Sequence, residues 1–128
     1  MAKLRARDID YINLHGTATL QNDAMEAKVI AALFGHQVPV SSTKPFTGHA
    51  LGAASAIEAG LCWLAMQDDN ATGLLPPHLW DVAADAALPV LDTVAAGRAL
   101  GHVPRHVLSN SFAFGGSNVA LVFSRMGA

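Results

Sequence analysis

Between Val40 and Gly52 the chain reads VSSTKPFTGHALG, a strand signal that gives way, through a proline-containing loop, to a run of small apolar residues. Such a segment fixes where a strand ends and a helix begins, and it places Lys44 and His49 at that junction. Val38 to Ser42 favours a short strand, Thr43 to Thr47 a loop around Pro45, and the Ala-rich stretch from Gly48 a helix. His49 is then expected in the first helical turn. There the unpaired N–H groups and the positive end of the helix dipole disfavour an imidazolium, so the ring should be neutral and able to donate one hydrogen bond. A neutral imidazole can polarise a carbonyl without first taking a proton. Lys44 would supply a fixed positive charge close by. Taken alone, the pair reads more readily as a polar cap and a solvated loop lysine.

A second segment repeats the arrangement. Ile9 to Leu14 alternates like a strand and runs into the small polar loop His15-Gly16-Thr17-Ala18-Thr19. Asn22 or Asp23 is expected to cap a helix that continues to about Phe34 and stops at Gly35. A third segment, Ser109 to Asn118, joins two apolar strands through Gly115 and Gly116, which tolerate the positive φ that turns N–H groups toward a site. On its own that segment is an ordinary hairpin turn.

Together, HGTAT at 15–19, SSTKPFTGHALGA at 41–53 and NSFAFGGSN at 110–118 closely resemble the C-terminal half of a β-ketoacyl-(acyl-carrier-protein) synthase, over about Asp8 to Arg125. The resemblance implies an α/β, thiolase-like fold: one mixed sheet packed with helices, forming half of an αβαβα sandwich. It implies a domain over residues 8–125 with short tails at 1–7 and 126–128. It also implies decarboxylative Claisen condensation in fatty acid or polyketide synthesis. His15 and His49 match the paired imidazoles that stabilise the enolate, and Lys44 the lysine that holds their network. Glu26 falls where a glutamate pairs with that lysine, although a surface glutamate is the simple alternative. Thr17 and Thr19 match hydroxyls that bind the phosphopantetheine arm; short loop threonines also serve as turn-formers. Phe114 matches the gate residue, whose backbone N–H forms half of an oxyanion hole, and Phe112 lines the same channel. Ala113 stands where a glycine is usual, and Leu20 where proline is frequent.

The resemblance places the acyl-accepting cysteine in an N-terminal half. Cys62, the one cysteine of the chain, lies in the apolar run Ala50 to Met66 and is read as a core thiol. The implied partners are therefore the N-terminal half, an acyl carrier protein and, in the complete enzyme, a second subunit. No cofactor is implied, since the phosphopantetheine arrives with the carrier protein. Degradative thiolases, the nearest competing enzymes, generally carry a second reactive cysteine near the C-terminus, and Ser109 to Phe123 has none. Two further alternatives stand: a non-elongating partner resembling a chain-length factor or decarboxylase, and a carrier-protein binding module in which Lys3, Arg5 and Arg7 attract an acidic surface.

Composition narrows the classes. Of 128 residues 52% are hydrophobic and 14% charged, against a typical charged fraction of about a quarter, and mean hydropathy is +0.32. That is more apolar surface than a small domain readily hides, so some should face a partner. The formal net charge of −2 provides no basic field for nucleic acid or anionic membrane. A single cysteine gives no disulfide framework, and Met1 to Arg7 lacks the apolar core of a signal peptide; both fit a cytoplasmic protein. Gly48 to Gln67 is nearly long enough to span a bilayer, but its small residues, His49 and Glu58 favour a buried helix. Asn70 to Ala87 reads as a long surface connection, Leu88 to Leu91 as a short strand, and His106 to Phe112 with Asn118 to Phe123 as a closing antiparallel pair. His36, His78, His102 and His106 lack ligand spacing for zinc and are assigned to loops or surface. Trp63 and Trp80 are expected in a core or interface.

Overall fold

The structure, a computed structural model, describes residues 3–127, except for the Phe114 side chain. Five strands form one mixed sheet: β1 Tyr11–Asn13, β2 Pro39–Ser41, β3 Asp92–Thr93, β4 His106–Ser111 and β5 Val119–Ser124, in the order β3-β2-β1-β4-β5. β1 pairs parallel with β2 (Ile12 opposite Val40) and with β4 (Ile12 opposite Leu108), and β2 pairs parallel with β3. β5 closes antiparallel on β4, from His106 opposite Ser124 to Ser111 opposite Val119.

Central β1 is covered on both sides, and its side chains divide between two cores. Tyr11 packs with Cys62, Met66, Leu75, Val94 and Val107, whereas Ile12 and Leu14 pack with Ile30, Val38, Val40 and Leu108. The alternation follows from the period of two along a strand. Helix α1, Leu20–Phe34, covers one face through Glu26 and Ile30, and helix α3, Ala54–Ala65, covers the other through Ala54, Glu58, Cys62 and Ala65. These spacings of three and four residues put each set on one helical stripe.

Several expectations shift. α1 begins at Leu20 with Thr19 as its N-cap, not at Asn22 or Asp23, and Asp23 lies inside the first turn. Gly35 does end it, with φ 75° and its N–H on the Ala31 carbonyl at 3.0 Å. His49 is not in a first helical turn. Lys44–Thr47 forms a short helix, α2, then Gly48 (φ 69°) and a 3-10 turn at Leu51–Ala53 intervene before α3. Leu51 itself has φ 49°, a left-handed conformation that breaks the helical path.

β3 lies just past the expected Leu88 to Leu91. Pro89 has no N–H to give a ladder and Val90 is exposed, so pairing with β2 starts at Asp92, which Arg98 holds in a two-pronged ion pair. Nor is the connection from Asn70 wholly superficial: Leu75 is buried in the Tyr11 core, and the Asn70 side chain bonds the Ala65 and Leu74 carbonyls and the Leu74 N–H. α3 is buried on one stripe only, with Trp63 and Leu64 more than half exposed, so Trp63 is not a core residue in this chain. No helix among the described residues is long and apolar enough to cross a membrane.

Candidate active site at the carboxyl ends of the strands

Because β1, β2 and β4 run parallel, their carboxyl ends open on one edge of the sheet, the edge where open α/β sheets place ligands. His15 leaves β1, Lys44 leaves β2, and Phe112 follows β4. The structure brings these together with His49. The His15 and His49 rings meet edge to face, centroids 5.6 Å apart at 88°, and Phe112 packs on His15 at 5.6 Å and 73°.

Lys44 is buried beneath this pair. Its Nζ donates to the His15 carbonyl oxygen and to Glu58 Oε1. Here the structure corrects the sequence reading: Glu26 does not pair with Lys44. Its buried carboxylate instead accepts N–H bonds from His15 and Gly16, both 2.9 Å, and from Asn110 Nδ2 at 3.2 Å, so it is no surface residue either. The geometric reason is that Glu26 rises from α1 under the loop after β1, whereas Glu58 rises from α3 on the Lys44 side of the sheet. Glu58 was legible in principle: it is a lone carboxylate in an apolar run, and Lys44 is the only cation between Lys28 and Arg98. A buried carboxylate demands a partner.

The electrostatics follow from burial. His15 is pushed down to about 4, first by loss of water, then by the Lys44 charge and by His49. The ring is thus neutral at neutral pH. Burial raises Glu26 against the pull of its three N–H donors, and raises Glu58 against the Lys44 hydrogen bond and charge. Burial likewise pushes the Cys62 thiol up to about 12, which leaves it a protonated core residue without nucleophilic character.

Around this centre, on the loop after β1, Thr17 lies half-buried and Thr19 exposed, their hydroxyls 2.8 Å apart. Gly16 (φ 45°) is required there, since a Cβ at this position would stand 2.5 Å from Ser42 Cβ. Phe114 opens the 3-10 turn Phe114–Gly116, in which Gly115 and Gly116 take φ 80° and 85°; its side chain lies outside the described residues. Ala113 is extended, φ −129°, a conformation in which a methyl group costs nothing. His78, expected in a loop or at the surface, lies in a loop but is half-buried, and its Nδ1 accepts the Ser42 N–H at 3.0 Å. No cluster of metal-ligating side chains occurs among the described residues.

Residues 1–79 match the model of the β-ketoacyl synthase C-terminal domain. The chain belongs to the β-ketoacyl synthase family. It is 40% identical over 130 residues to nodulation protein E of Rhizobium sp. (strain N33), a match that covers 98% of this chain and 30% of the relative. It is 42% identical over 119 residues to 3-oxoacyl-[acyl-carrier-protein] synthase 1 of Haemophilus influenzae, covering 91% of this chain and 28% of that one. Among solved structures, a ketosynthase in complex with its chain length factor from Xenorhabdus doucetiae superposes with a TM-score of 0.84 at 44% identity, over 96% of this chain and 30% of that one. The fold is therefore the C-terminal, thiolase-like part of a β-ketoacyl synthase. The chain spans about a third of the length of these relatives.

Proposed function

We propose that the chain supplies the histidine and lysine part of a condensing site, and that a segment outside these 128 residues supplies the nucleophilic cysteine. The observation that carries this reading is the edge-to-face His15 and His49 pair over a buried Lys44, in a β-ketoacyl synthase domain whose own thiol is sealed in the core.

In the proposed reaction a malonyl thioester on an acyl carrier protein loses carbon dioxide, and the electron pair of the broken bond becomes an enolate. Negative charge gathers on the thioester oxygen. His15 and His49 donate N–H bonds to that oxygen; a neutral His15 does so through its one N–H and keeps that proton. Lys44 holds the loop after β1 by the His15 carbonyl and lends positive potential without donating its own proton. The enolate carbon then attacks the acyl thioester, a carbon–carbon bond forms, and the carbon–sulfur bond breaks to release the cysteine thiolate. The Phe114 backbone N–H and the N–H of the cysteine form the oxyanion hole for that second step, with Phe112 lining the channel and Thr17 and Thr19 receiving the phosphopantetheine arm. No metal or redox cofactor has a part in this scheme. The exposed apolar stripe of α3, with Trp63 and Leu64, docks on the N-terminal part of the enzyme, and the assembled enzyme pairs with a second subunit in the cytoplasm.

The chain alone is inactive in condensation on this account. Mixing it with the N-terminal part of a matching synthase should yield decarboxylation of a malonyl carrier thioester and condensation, both abolished by His15→Ala. Decarboxylation without condensation would favour the non-elongating partner. Carrier binding that weakens with salt, with no chemistry in any mixture, would favour the binding module. That last reading is disfavoured by Arg5, which is engaged with Asp8 and only partly available to an acidic surface.

A further inference from the structure

We infer that His78 is a positioning residue for the two active-site loops: through Ser42 it fixes the contact between the loops that carry His15 and Lys44. The inference rests on the functional reading above only for the use of those loops, not for their geometry.

Ser42 is the first residue past β2 and is almost fully buried, so each of its polar groups needs a partner. Its hydroxyl donates to the Gly16 carbonyl at 3.0 Å and accepts the Lys44 N–H at 3.4 Å. Its own N–H donates to His78 Nδ1 at 3.0 Å. A backbone N–H can only donate, so Nδ1 must be bare, and the neutral ring carries its proton on Nε2. One imidazole thus satisfies the one buried donor of Ser42 that strand pairing leaves free. From Ser42 the connection passes by a single bond to Gly16 and by another to Lys44, whose Nζ holds the His15 carbonyl. The two loops touch so closely that Gly16 has no room for a Cβ, so a shift of Ser42 cannot be absorbed between them. Burial also lowers the His78 pKa, opposed by the Asp23 charge, which keeps the ring in its accepting form. Trp80 lies against the ring, centroids 5.8 Å apart.

The test reads the chain by NMR and needs no catalysis, so it stands apart from the reconstitution experiment. Long-range proton–nitrogen correlation of histidine-labelled chain should show His78 with a bare Nδ1 and a protonated Nε2. In His78→Leu, which keeps bulk and loses the acceptor, the Ser42 amide should lose its hydrogen-bonded shift and the His15 ring signals should move. In His78→Asn, whose Oδ1 stands where Nδ1 stood, both should return toward their wild-type positions. In a reconstituted enzyme the leucine variant should lower kcat by up to about 100-fold, as misplacement of reacting groups does, with KM little changed. A protonated Nδ1 in the wild type, His15 signals indifferent to His78→Leu, or equal displacement in both variants would overturn the inference. The tautomer and the asparagine variant decide the matter even if His78→Leu fails to fold.

Discussion

Lys44 and Glu58 are each nearly sealed from water, so their pairing is a condition of burying either one. Glu58 accepts from Lys44 through Oε1 alone, while Oε2 is buried with no hydrogen-bond partner among the described residues. Removing Lys44 leaves a carboxylate without its cation. Lys44→Ala should therefore lower unfolding stability by about 3–5 kcal/mol, measured by denaturant titration, whereas replacing both residues by apolar side chains should recover much of the loss. At the catalytic end, His15→Ala should cost on the order of 100-fold or more in the rate of the reconstituted decarboxylation, the usual penalty for one donor to a developing oxyanion. The three motifs marked His15 and His49, and the structure brings the two rings together. Neutrality was expected for another reason, a helix N-terminus at His49, and the structure instead gives it to His15 through burial and the Lys44 charge. Which of two glutamates meets Lys44 depends on the face of the sheet from which each helix approaches, and the local sequence does not carry that information.

At the level of elements, the strands other than β3 and the glycine stop of α1 were legible because β-branched alternation and a positive-φ terminus leave local marks. The start of α1 was not. Thr19 caps by backbone geometry, with its hydroxyl engaged by Thr17, so the Asx residues downstream gave a false signal. This start also accounts for Leu20. It occupies the first helical position, exposed, after an extended Thr19 (φ −104°, ψ 137°), which is the environment proline prefers. Leu20→Pro should raise stability by about 0.4–1 kcal/mol in urea unfolding, by restricting the unfolded chain. Gly16→Ala should act in the opposite direction: a left-handed φ and the contact with Ser42 together predict a loss of about 1–3 kcal/mol and disturbed His15 signals. The short β3 escaped sequence reading because it is set by distant pairing, Asp92 to Pro39, and the turn before α3 because a leucine, Leu51, takes the left-handed conformation that sequence reading reserves for glycine.

The whole molecule exposes what its composition foretold. Trp63 is 57% exposed, Leu64 56%, and on the edge strand Val119 47% and Leu121 43%. Each face of the sheet carries its own core, yet among the described residues nothing covers the outer stripe of α3. Isolated chain should therefore self-associate in sedimentation velocity, and Trp63→Asp with Leu64→Asp should reduce that association while leaving the His15 environment intact. All of this serves one electrostatic arrangement: a neutral His15 held over a buried cation. The most direct measurement is the NMR titration of the His15 ring in the intact chain. The native state then binds fewer protons at this ring than the unfolded chain between pH 6.5 and about 4, so stability should fall as pH drops through that window, a loss absent from His15→Ala. The account predicts that His15 stays neutral until the pH approaches about 4. A ring that protonates near 6.5, as a solvated histidine does, would contradict it.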